Sequence, residues 1–118
     1  MPNWLRQLFG GSGGSVTTPD WMETGELHHR LDSGETPLII DVRGPDEFDG
    51  PLGHIDGALN VPLPDLSARI PELGRTGGPI VLVCLTDKRS SQAAAELVEA
   101  GVRDVTVLRG GMRAWRGE

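Results

Sequence analysis

The chain has 118 residues and a mass of 12.6 kDa, enough for one domain with a single core and too little for a second of ordinary size. Its 11 Lys and Arg against 17 Asp and Glu leave a formal net charge of -6, which argues against nucleic acid or an anionic membrane surface as the main partner, since both select a basic face. A lone cysteine, Cys84, excludes an internal disulfide and any multi-cysteine zinc or iron–sulfur site.

Such cysteine usage fits a reducing compartment. The longest apolar runs are far too short to span a bilayer, and the first residues lack the extended apolar stretch of a secretory signal. A cytoplasmic protein with no membrane span is expected. Residues 1–15 read as a separate unit: Trp4/Leu8 and Leu5/Phe9 stand at i,i+4, and Gly10 to Ser15 form a Gly/Ser linker. Such a segment either docks on its own domain or a second copy, or anchors a partner protein. One α/β domain is expected over residues 16–118.

In chain order, Thr24 is placed to N-cap a helix carrying Leu27 and Leu31, with Gly34 as its stop. Leu38 to Val42 is a continuous apolar run, the pattern of a strand buried on both faces. Pro45 to Phe48 suits one helical turn, with proline first and acids at the positive dipole end. Ala58 to Val61 is a weaker strand, closed by Pro62. Leu63 to Ile70 reads as a short helix stopped by Pro71. Ile80 to Val83 is the clearest strand and Ser90 to Ala100 the clearest helix. Val105 to Leu108 is a further strand, and Gly110-Gly111 turns into a final short helix holding Met112 and Trp115. Strands alternating with helices predict an α/β fold with a mostly parallel central sheet.

Cys84 stands at the carboxyl end of the best strand, where open α/β sheets bind ligands. A tight loop entering a helix aims unpaired backbone N–H groups at one point. Those donors and the helix dipole favour an anion there, and a thiolate over a thiol. Lys88 and Arg89 add cationic charge to an otherwise acidic chain. The sequence therefore marks Cys84 as a nucleophile rather than an inert core thiol.

At these residues the chain resembles the rhodanese family of sulfurtransferases. Asp41-Val42-Arg43, Glu47-Phe48 and Gly53-His54-Ile55-Asp56-Gly57-Ala58-Leu59-Asn60-Val61-Pro62 resemble its amino-terminal signature. Val81 to Cys84 with Arg89-Ser90 and Ala93 to Leu97 resemble its active-site segment, and Val105 to Trp115 its carboxyl-terminal signature. The resemblance runs in order from Thr18 to Glu118. It implies a three-layer α/β domain with a central, mainly parallel five-stranded sheet flanked by helices. It also implies that Cys84 carries sulfur as a persulfide between a donor, thiosulfate or a persulfide, and a thiol or cyanide acceptor. That chemistry needs no metal or organic cofactor. Small sulfur anions or thiols are the implied partners, with a sulfur-carrier protein as a further class. A protein-to-protein relay with little small-molecule turnover is the alternative.

The expected donor-binding set is Leu85, Thr86, Asp87, Lys88, Arg89 and Ser90. Arg89 is expected to bind an anion, while Asp87 would repel one unless it points outward or caps the helix. This loop lacks the glycine and denser basic pattern of many thiosulfate-using members, which bears on the donor more than on the cysteine chemistry. Asp41 and Arg43 read as a buried ion pair or as support for the cysteine loop, and His54 as a hydrogen-bonded structural histidine rather than a base for Cys84. His28 and His29 fall on a solvated helix face, while Trp21 and Trp115 read as packing residues. Cysteine phosphatases of the dual-specificity type share the architecture, but their loop holds one more residue between Cys and Arg than the four here, so phosphatase activity is not expected.

Overall fold

The computed structural model describes residues 20–118, so the expected unit over residues 1–15 lies outside the described residues. Five strands, β1 (Asp20–Met22), β2 (Leu38–Asp41), β3 (Leu59–Asn60), β4 (Ile80–Val83) and β5 (Val105–Leu108), form one sheet in the order β1-β5-β4-β2-β3. Every pairing is parallel. Parallel strands need crossovers, and the four helices between strands supply them: α1 (Thr24–Asp32), α2 (Pro45–Phe48), α3 (Leu66–Arg75) and α4 (Lys88–Glu99); α5 (Gly111–Trp115) follows the last strand. The resulting layers match the architecture the sequence implied.

Period-two alternation along β4 divides the core. Ile80 and Leu82 face one layer with Leu66, Leu73, Ala93, Ala94 and Leu97 from α3 and α4. Val81 and Val83 face the other with Leu27 of α1, Ile55 and Met112 of α5. All four β4 residues are buried, as a strand covered on both faces requires. A recess of about 550 Å³ lined by Ile70, Leu73, Ile80 and Val102 opens at the amino ends of β4 and β5, away from Cys84.

The local expectations need three corrections and one addition. Glu23, not Thr24, occupies the N-cap of α1 and no side chain caps it; Thr24 is already helical. The other end follows expectation, with Gly34 N–H bonded to the Leu31 carbonyl and Glu35 N–H to that of Arg30, a Schellman stop in which Gly34 takes φ +87°. Pro71 does not end its helix. Leu63–Asp65 is a 3-10 turn, and α3 runs on to Arg75 with Pro71 inside it. Pro71 and Ser67, whose carbonyl loses its helical donor, are both exposed, so the loss falls on the solvent side of the helix while Leu66, Ile70 and Leu73 keep it on the core. Third, α4 begins at Lys88, two residues before Ser90, with Asp87 at its N-cap but no capping bond from the Asp87 side chain. In addition, His28 is exposed as expected, and its ring stacks on Trp115 at 3.7 Å.

β1 had no counterpart among the predicted strands. Three residues after Pro19 are too few to show a period, and only pairing with β5 makes them a strand. Trp21 packs on the core from there, with the Arg109 guanidinium 4.6 Å above its ring.

Because Pro71 costs α3 a hydrogen bond at an exposed position, Pro71→Ala is expected to raise stability by about 1 kcal/mol, less than the full propensity difference because alanine also frees the unfolded chain. Urea midpoints of the two proteins check this; a lower midpoint in the variant contradicts the account.

Candidate active site

Chain order places the site. β2 leads outward to β3 on one side, whereas β4 leads to β5 on the other, so the carboxyl ends of β2 and β4 flank the point where winding reverses. Cys84 follows β4 there, Asp41 ends β2 and Arg43 lies two residues beyond it.

The Cys84 loop is shaped by the helix that packs behind it. Met112 N–H donates to the Cys84 carbonyl at 2.8 Å and Arg113 N–H to the Leu85 carbonyl at 3.1 Å. Gly111 lies against the same loop with φ +56°, and a Cβ there would overlap the carbonyl oxygens of Cys84 and Thr86. In a trans peptide the N–H points opposite to the C=O. With their carbonyls against α5, the peptides after Cys84, Leu85 and Thr86 turn the amides of Leu85, Thr86 and Asp87 the other way. No hydrogen bond within the described residues uses the amides of residues 85 to 90. Such a run of donors, continued by the first turn of α4, is an anion cradle.

Cys84 itself is 1% exposed, and its Sγ lies 3.3 Å from the Ser90 hydroxyl, which is positioned to donate to a thiolate. Ser90 is buried at the start of α4, Thr86 and Lys88 are exposed, and Leu85, Asp87 and Arg89 are half-buried. Among the described residues Lys88 forms no ion pair.

Arg89 departs from expectation. Its two terminal nitrogens meet both oxygens of the Glu47 carboxylate at 2.7 and 2.9 Å, an end-on bidentate pair from α4 to α2. The hydrogen bond from Arg89 holds the Glu47 carboxyl below its ordinary range, and Glu47 raises Arg89, which also feels the charges of Cys84 and Asp41. This pair explains why α4 tolerates a cation in its first turn. Glu47 had no expected role in the site; its one sequence signal is its place in the Glu47-Phe48 motif.

Asp41 and Arg43 form a buried pair, each 1% exposed, with Arg43 Nη2 at 2.7 Å from Asp41 Oδ2 and a further 2.7 Å bond to the Gly53 carbonyl. Asn60 Nδ2 donates to the carbonyls of both residues. His54 Nδ1 lies 2.9 Å from the Phe48 carbonyl and its ring stacks on Phe48. These bonds organise the 41–60 segment that carries Glu47. Among the described residues none of these side-chain bonds reaches the 84–90 loop; the direct tie is backbone, Val42 N–H donating to the Val83 carbonyl at 2.9 Å, and Glu47 of α2 adds the side-chain link to Arg89.

The Rhodanese-like domain family matches residues 23–118. The chain belongs to that family. Similar rhodanese-like proteins include the thiosulfate sulfurtransferase GlpE of Shewanella oneidensis, 39% identical over 86 residues that cover 73% of this chain and 82% of that protein. YqhL of Bacillus subtilis is 44% identical over 80 residues, 68% of this chain, and the match spans 61% of its length. The rhodanese-like domain of the Anabaena protein Alr3790 superposes with a TM-score of 0.73 at 33% identity, covering 81% of this chain and 72% of that one. The family and its sulfurtransferase relative support a sulfur-transfer role at the level of the rhodanese domain. Among the described residues no His, Cys, Asp and Glu cluster is suited to hold a metal, and no helix is long and apolar enough to cross a membrane.

Two outcomes follow for this rhodanese domain. Gly111→Ala adds steric overlap to backbone strain and is expected to cost at least 2 kcal/mol, whereas Gly101→Ala, also at positive φ but with open space, costs about 1 kcal/mol. Equal costs in denaturant titrations would contradict the close packing of α5 on the loop. Glu47, with its pKa lowered, contributes stability above the ordinary carboxylate range that is lost as pH falls through its folded value. Wild type is thus expected to exceed Glu47→Gln in melting temperature above the ordinary carboxylate range, with the gap closing as pH falls below it. A gap independent of pH rules the ion pair out as its source. With side chains 36% and 39% exposed, the pair is solvent-screened and the gap modest.

Proposed function

We propose that this domain is a sulfurtransferase in which Cys84 carries sulfane sulfur as a persulfide. The observation that carries the reading is the run of amides from Leu85 to Ser90, without acceptors among the described residues, beside the chain's one thiol. The Cys84 thiolate attacks the outer sulfur of thiosulfate; a bond forms from Sγ to that sulfur, the S–S bond of the donor breaks, and sulfite leaves with the electron pair. The terminal sulfur left on Cys84 bears the negative charge, which the loop amides and Ser90 hydroxyl stabilise as an oxyanion hole would. A thiolate or cyanide then attacks that sulfur and restores the Cys84 thiolate. No second cysteine exists to resolve the persulfide within the chain, so the acceptor must come from outside it. The cytoplasm, with its thiols, fits such turnover.

A relay between proteins is the second reading. The Glu47 carboxylate on Arg89 favours it, because it takes up the cation that a free anionic donor would use. A sulfur-carrier protein is then the partner class.

Incubation with thiosulfate is expected to add one sulfur atom to the intact mass of the protein, and cyanide or a thiol to remove it. Cys84→Ser is expected to gain none. Loading only from a persulfidated protein favours the relay, and loading from neither donor refutes both readings. The same preparation is expected to leave an aryl phosphate intact; hydrolysis abolished by Cys84→Ala would reassign the site to phosphoryl chemistry.

A further inference from the structure

We propose that Glu47 is a specificity-determining residue whose carboxylate occupies the Arg89 fork in place of an oxyanion donor and so biases Cys84 against thiosulfate and toward persulfide donors, which carry no oxyanion head. The inference rests on the sulfur-transfer reading of Cys84. A guanidinium offers an oxyanion one end-on fork, and here both terminal nitrogens are already bonded, one to each oxygen of Glu47. The sulfonate end of thiosulfate presents the same chemistry as that carboxylate. Glu47 is therefore an intramolecular competitor, present at an effective concentration that free donor does not match.

The competitor is held where it stands. Pro45 starts α2, Gly44 N–H reaches back to Glu47 Oε1 at 3.5 Å, and Phe48 is stacked under His54 and bonded to it. The buried Asp41–Arg43 pair fixes the chain just before α2 through Gly53 and Asn60.

Local charge points the same way. Around the loop Lys88 and Arg89 are matched by Asp87 and Glu47, while Asp41 and Arg43 cancel each other. Within the 84–90 loop and its ion-pair partners, then, the formal charges of these side chains cancel, and the amides are the donors left to attract a dianion. An alkyl persulfide, R–S–SH, needs no net positive charge there. The Cys84 thiolate takes the outer sulfur of the protonated donor, the donor's S–S bond breaks, and R–S⁻ leaves with the electron pair, so charge and proton both balance.

The test compares sulfur loading of Cys84, followed by intact mass at one ionic strength, from thiosulfate and from 2-hydroxyethyl persulfide. In Glu47→Gln the thiosulfate-to-persulfide rate ratio is expected to rise about tenfold over wild type. Glu47→Asp, which keeps the charge but draws the carboxylate back from the fork, is expected to fall between them. In Glu47→Gln/Arg89→Gln the gain is expected to disappear, since it works through the freed guanidinium. General loosening of the fold slows both donors together and leaves the ratio unmoved. An unchanged ratio in both single variants, in a protein that does load sulfur, overturns this inference alone, as does a gain that survives loss of Arg89. Wild type that loads from neither donor overturns the sulfur-transfer reading and this inference with it.

Discussion

Behind the Cys84 loop, the carbonyls of Cys84, Leu85 and Thr86 are pressed against the start of α5, two of them bonded to Met112 and Arg113. The contact decides which way three peptide planes face. Were those carbonyls turned inward, the cysteine would sit in a ring of partial negative charge, and no anionic sulfur would be stable on it. Gly111 makes this approach possible, because any side chain there would hold the helix off the loop. Strand β4 brings the thiol to the switch point, but α5 determines the sign of the field around it.

Charge in this protein is organised on two scales. The chain as a whole is acidic, and the cations near the cysteine are an exception to it. At closer range Arg89 is matched by Glu47, and Arg43 is enclosed by Asp41 and the backbone of the 41–60 segment. What remains for a ligand is chiefly peptide dipole. Peptide dipoles are fixed in direction and lose nothing to solvent reorganisation, whereas a mobile cation at the mouth would bind many anions without distinction.

Much of this was legible in the sequence. The runs at 38–42, 80–83 and 105–108 each became strands, because burial on both faces demands continuous apolarity, and the Cys84 junction stood out from strand placement and loop length. The three-layer five-stranded architecture came from the ordered motifs rather than from periodicity. Three features could not be read. β1 is defined only by its partner β5. Pro71 looked like a stop because propensity is local, while Leu66 and Leu73 anchor α3 from both sides of it. The ion pair of Arg89 joins residues from two helices separated by a strand crossover, and nothing in the spacing of either segment records the other.

The sheet order also sets a timetable. β1, the first described strand, pairs only with β5, Asp20 lying beside Thr106, so it waits for nearly the whole domain before it can join the sheet. α5 follows β5 in the chain and is the element that orients the cysteine loop. A chain growing from its amino end can therefore close the β2–β4 centre early while the amides around Cys84 are still unordered. In chain order Cys84 is made before the helix that orients its loop.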